Sequence, residues 1–157
     1  MRRKIETRLI ELGIELPEAP NPVSNYQPYV ISENLIFLSG QVTIWNGEIK
    51  YLGKIDRDLT VDQGYDAARM CGLNLIAQVK AACNGDLDRV KRVVKLGAFV
   101  NCVEDFKEHP NVVNGASDLM AEVFDDAGRC SRTNAGVPSL PLGFAVEIDG
   151  VFEIENK

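Results

Sequence analysis

The chain has 157 residues, of which 45% are hydrophobic and 25% charged, with a formal net charge of −6. That length and apolar content suit one globular domain with its own core and exclude a disordered chain. The acidic balance disfavours a nucleic-acid partner, because phosphate binders carry the opposite charge.

Residues 3–12 have Ile5, Leu9, Ile10 and Leu12 on one face at helical spacing, with Gly13 as the stop, and predict a short helix. Pro17, Pro20, Pro22 and Pro28 then make an extended connector. Residues 34–44 predict a strand with a bulge at Gly40, and Asn46-Gly47 predicts a tight hairpin to a return strand over 48–52. Thr60 with Gln63 is a capping-box pattern that opens the longest helix, residues 60–83, stopped by Asn84-Gly85. A valine-rich strand follows over 90–103. A second long helix is expected over 111–125, with Val112, Ala116, Leu119, Met120 and Val123 on one side. The last strand is expected over 143–154, with Val146, Ile148 and Val151 inward.

This order predicts an α+β domain, a single mostly antiparallel sheet with both long helices on one face. Apolar residues on both strand faces require a cover for the second face, and a further subunit is the economical one. One domain over 1–157 is expected, with the N-terminal helix and connector over 1–25 and the core over 26–157. The first twenty residues hold no signal-peptide apolar block and no run of about 18 apolar residues occurs, so a cytoplasmic protein with no membrane span is expected. The basic clusters Arg2-Arg3-Lys4 and Arg89, Lys91, Arg92, Lys95 are not interleaved with aromatics, and both are taken as solvated charge.

Cys71, Cys83, Cys102 and Cys130 form no Cys-x-x-Cys pair, and the single histidine is His109. A zinc site and a Ser-His-Asp triad are disfavoured on that inventory. Cys71, Cys83 and Cys102 fall on apolar faces and are expected in the core. Cys130 lies near Arg129 and Arg132, which favours its thiolate. Arg132 sits in a polar run ahead of a buried strand. Its planar fork suits a carboxylate, although a salt bridge or solvent would also accommodate it. Glu147 sits between Val146 and Ile148, either outward-facing or placed in a cleft as an acid or base. Period-two alternation puts Asp149 on its face. Asn114 could bind a ligand or cap a helix. Ser39 could do the same or serve Gly40's bulge, Tyr29 could be packing, and Lys95 is best placed in solvent.

The run Arg132-Thr133-Asn134-Ala135-Gly136-Val137-Pro138-Ser139-Leu140-Pro141, the strand Val146-Glu147-Ile148, Ser39-Gly40-Gln41 and Val112-Val113-Asn114 occur in a set order. Together they resemble the reactive-imine deaminase (RidA) family, also called YjgF-like or endoribonuclease L-PSP, over about residues 26–154. The resemblance implies a chorismate-mutase-like fold and a homotrimer with a small carboxylate bound between subunits. It also implies hydrolysis of enamines and imines such as 2-aminoacrylate to 2-keto acids and ammonia, without metal or organic cofactor. By the same resemblance Arg132 holds the carboxylate, Glu147 serves the reacting water, Ser39, Gly40, Asn114 and Tyr29 line the cleft, and the strand lysine is Lys95. Many active members carry a cysteine where this chain has Asn134. The segment from Tyr29 to Ser39 is also shorter than usual. A non-catalytic binding module for small carboxylates is therefore the alternative. RNA cleavage, the activity behind one family name, is opposed by the charge, the single histidine and the lack of a stacking platform.

Overall fold

The computed structural model describes residues 3–22 and 24–156. Arg2 of the first basic cluster lies outside them. The elements are α1 (Lys4–Glu11), β1 (Tyr29–Ser32), β2 (Leu35–Gln41), β3 (Ile44–Trp45), β4 (Glu48–Ile49), α2 (Val61–Ala82), β5 (Val90–Asn101), α3 (His109–Phe124), β6 (Ser131–Val137) and β7 (Val146–Ile154). The capping box forms as expected: the Gln63 amide donates to Thr60 Oγ1 at 3.1 Å, and the Thr60 amide donates to Gln63 Oε1 at 2.9 Å. Helix α3 starts two residues before its predicted start, because Pro110 needs no amide partner in a first turn.

Five strands form the main sheet in the order β1-β2-β7-β5-β6. Three of its pairings are antiparallel, and β5 with β6 is parallel. The sheet is therefore mixed, with α3 as the crossover between its parallel strands. The bulge near Gly40 is present as a register shift between Leu38 and Gln41. The Asn46-Gly47 turn also forms, with φ of 48° and 84°. It closes a separate two-stranded ribbon of β3 and β4, not an extension of the main sheet. The return strand stops at Ile49; Leu52 instead bridges to Phe144.

Helices α2 and α3 pack on one face of the sheet. Ile36, Leu75, Ile76, Leu96, Leu119, Met120, Ile148 and Phe152 are fully buried between the layers. Each large side chain so buried contributes about 1.5–3 kcal/mol relative to exposure. Helix α1 joins this core through Leu9. Its first turn is capped from outside, since the Lys4 and Ile5 amides donate to the Asp88 carboxylate at 2.8 Å. On β7 the inward residues are Val146, Ile148, Gly150, Phe152 and Ile154. Val151 thus faces away from the helices, a correction that follows from unbroken period-two alternation. Phe37, 46% exposed, and Phe99, 40% exposed, stand on that outer face too. Among the described residues no helix is long and apolar enough to cross a membrane.

Candidate functional site

Strand β6 brings Arg132 to the sheet edge opposite Leu96 of β5, on the face that carries the helices. Its Nη1 donates to Asn114 Oδ1 at 2.8 Å and to Ser117 Oγ at 3.0 Å. Asn114 and Ser117 are three residues apart and share one face of α3. Asn114 is therefore no cap: the N-cap position belongs to Glu108. Both hydrogens of Nη1 go to neutral oxygens. Among the described residues no carboxylate lies within 4.0 Å of the guanidinium. Its Nε–Nη2 edge is left as a planar two-donor fork. Asn134 lies two residues along β6 on the same face, half-buried and opposite Ala98.

Glu147 lies on the other face. It pairs with Phe99 in the β5–β7 ladder, and Asp149 shares its face as expected. The Gly40 backbone runs against it; a Cβ there would stand 2.7 Å from Glu147 Oε1. Burial, and secondarily the charge of Asp149, pushes the Glu147 carboxyl above its ordinary range. Beside it opens a largely apolar chamber of about 420 Å³, walled by Pro20, Pro22, Tyr26, Leu142 and Phe144, with Glu147 as its one carboxylate among the described residues. Ser39 does not turn to the chamber for a partner. Its hydroxyl donates to the Gln27 carbonyl at 2.6 Å and ties down the connector.

The predicted site residues thus fall into two groups. Arg132, Asn114 and Asn134 gather at the β6–α3 edge; Ser39, Gly40 and Glu147 gather across the sheet. Tyr29 joins neither, since it pairs with Leu38 and packs on the core. Lys95 is exposed on the outer face, where its charge draws the Asp149 carboxyl down against the upward push of burial. Cys130 departs from expectation: burial raises its thiol more than Arg132 and Arg92 lower it. Ser117 was missed, although helical spacing from Asn114 marks it. A contact between Cys102 and His109 was missed too, with Sγ 3.6 Å from Nε2. Among the described residues no three His, Cys, Asp or Glu side chains converge in a way that could hold a metal ion.

A family model described as "YjgF/chorismate_mutase-like, putative endoribonuclease" matches residues 6–150. The chain is 45% identical over 154 residues to Protein TCP17 of Trypanosoma cruzi, covering 98% of this chain and 96% of that one. It is 27% identical over 142 residues to a 2-iminobutanoate/2-iminopropanoate deaminase of Dermatophagoides farinae, covering 90% and 95%. Among solved structures, the protein Atu1372 of unknown function from Agrobacterium tumefaciens superposes with a TM-score of 0.89 at 46% identity, over 96% of this chain and 92% of that one. With the mixed sheet, the two helices on one face and the ordered motifs around Arg132 and Glu147, these matches make the chain a member of the YjgF/RidA family.

Proposed function

We propose that the protein hydrolyses small enamine and imine carboxylates of the 2-aminoacrylate type to 2-keto acids and ammonia. The observation that carries this reading is the Arg132 guanidinium, fixed by Asn114 and Ser117 and with no carboxylate of its own among the described residues. Such a fork receives a substrate carboxylate bidentately. The deaminase of Dermatophagoides farinae supports the chemistry by likeness.

Because Arg132 and Glu147 face opposite sides of one sheet, the reading requires Arg132 of one copy to meet Glu147 of the next. A homotrimer, the assembly the family pattern implies, does this three times over. The outer-face Phe37 and Phe99 offer an apolar contact surface of the kind that subunits cover. In the reaction, water adds to the imine carbon and the C–N bond then breaks, releasing ammonia and leaving a carbonyl. Glu147 takes one proton from the water and returns it to nitrogen, and the remaining hydroxyl proton passes to the departing ammonia as the carbonyl forms. A carboxyl held above its ordinary range suits both tasks. A protonated imine is already electrophilic, so this step calls on no further group.

The test is a coupled assay in which a serine or threonine dehydratase generates the enamine and keto-acid appearance is followed. Acceleration by the protein that disappears in Arg132→Ala is the expected result. Acceleration that persists in Arg132→Ala overturns the assignment of the arginine. Thermal stabilisation by 2-keto acids without any acceleration replaces catalysis with binding.

A further inference from the structure

Four residues along β6 from Arg132, about 13 Å at ordinary strand rise, a second cleft of about 710 Å³ opens, lined by Lys54, Cys102, Glu104, Phe106, His109 and Gly136. It holds a thiol and an imidazole in contact, since Cys102 Sγ is 3.6 Å from His109 Nε2. The Phe106 ring meets the imidazole edge-on, with centroids 5.0 Å apart, and fixes its orientation. The β6 backbone closes directly over the pair. A Cβ on Gly136 would stand 2.4 Å from His109 Nε2 and 2.9 Å from Cys102 Sγ, so only glycine leaves this contact open.

Lys54 supplies a positive charge at the cleft, which Glu104 also lines. Its Nζ donates to Asn101 Oδ1 at 3.0 Å and to the Pro138 carbonyl. Among the described residues no carboxylate lies within 4.0 Å of it. Burial raises the Cys102 thiol, and Lys54 only partly offsets this. A thiol held protonated needs a base at hand before it can attack, and His109 stands in that place. Cys71, Cys83 and Cys130 do not line this cleft, so an internal disulfide is not its chemistry.

We propose that this cleft is a second reactive site, in which Cys102 adds to a small α,β-unsaturated carbonyl compound with His109 as the base. With the ring proton on Nδ1, His109 Nε2 takes the thiol proton as Sγ bonds to the β-carbon. The C=C electron pair moves onto the carbonyl as an enolate, and the imidazolium then protonates the α-carbon. No group leaves and nothing is oxidised or reduced. The negative charge that builds on the carbonyl oxygen is stabilised by Lys54 from the cleft wall.

The test treats the whole protein at neutral pH with N-ethylmaleimide, itself an α,β-unsaturated carbonyl compound, and follows each cysteine by peptide mass spectrometry. Cys102 is expected to react about tenfold or more faster than the half-buried Cys130. His109→Ala and Gly136→Ala are each expected to slow Cys102 about 10²-fold or more, the lower end of the range for loss of a positioned base, with Cys130 unchanged. Continued protection of the fully buried Cys71 reports an intact fold. Where His109→Ala exposes Cys71, His109→Phe keeps the ring packing without the base. Cys130 reacting ahead of Cys102, or Cys102 reacting at its normal rate in a variant that keeps Cys71 protected, overturns the proposal.

Discussion

Gly115→Ala asks whether α3 is held where Arg132 needs it. A Cβ at position 115 would stand 2.0 Å from the Tyr65 carbonyl oxygen, 2.9 Å from its carbon and 3.1 Å from the Arg69 nitrogen. All three are backbone atoms of α2, so no rotamer change makes room. The nearest contact falls about 1.4 Å short of the 3.4 Å at which ordinary contact begins, and the two helices must part by a similar amount. Overpacking of this kind costs typically 1–3 kcal/mol, and a clash with rigid backbone belongs at the upper end, about 3 kcal/mol. For a chain of this length each kcal/mol lowers Tm by about 2–4 °C, so a drop of about 6–12 °C is expected. Asn114 moves with its neighbour, and a shift of about 1 Å takes its Oδ1 beyond hydrogen-bond range of Arg132. Thermal unfolding followed by circular dichroism measures the first effect, and keto-acid release in the coupled assay the second. Gly72→Ala is the control: its nearest contact is Leu119 Cδ2 at 2.9 Å, the end of a flexible side chain, and a loss of about 1 kcal/mol is expected. A Gly115→Ala protein that melts within about 2 °C of the parent, or no lower than Gly72→Ala, would refute the reasoning.

Gly40→Ala should push Glu147 out of place while changing Tm little; a loss of about 10²-fold or more in kcat is expected, as for a misplaced acid–base group, and unchanged turnover would count against Glu147. The Glu147 carboxyl has a raised pKa in the folded chain, so the fold binds its proton more tightly than the unfolded chain does and stability falls as pH rises through that window. Glu147→Gln should therefore raise Tm at pH 7 relative to the parent and lose that advantage below the ordinary glutamate range; an equal difference at both pH values would contradict the assigned cause. Asn74 is fully buried and its Nδ2 donates to the carbonyls of Val42 and Ile44 at 2.9 and 2.8 Å. The Val42 carbonyl also accepts the Ile44 amide at 3.0 Å, so Asn74→Ala strands the Ile44 oxygen alone and should cost about 1–3 kcal/mol in denaturant titration, whereas a loss below about 0.5 kcal/mol would mean that the β2–β3 link bears little weight.

Elements with a local cause were visible in the sequence. The Thr60–Gln63 box, the apolar run of α2 and the alternation of β7 each specify their structure from neighbouring residues. The two strands that escaped notice, β1 and β6, are both sheet edges. Strand β1 follows Pro28 at the end of a proline-rich stretch, where turn chemistry masks a strand. Strand β6 carries Ser131, Thr133 and Asn134 with no apolar alternation, and its partner β5 reaches it only through the α3 crossover. The same gap limited the site. The motif order singled out Arg132 and Glu147 as candidates, but without β6 as a strand nothing placed them on opposite faces. The Cys102–His109 contact spans the turn from β5 into α3, and no periodicity encodes it.

The wall of the Glu147 chamber has a consequence for how that chamber moves. The connector over 17–22 and 24–28 is rich in prolines, which have no amide to donate. Among the described residues its polar clasps include Gln78 Nε2 on the Pro20 carbonyl, Ser39 Oγ on the Gln27 carbonyl, the Ser39 amide on the Pro28 carbonyl, and the Glu18 amide on Asn46 Oδ1. At about 1 kcal/mol net apiece, releasing them takes less than the 5–15 kcal/mol that commonly separates a folded domain from its unfolded chain. Release of the connector is thus a sub-global opening, exposing little new surface and hence nearly insensitive to mild denaturant. The five-stranded sheet stays closed while the connector lifts.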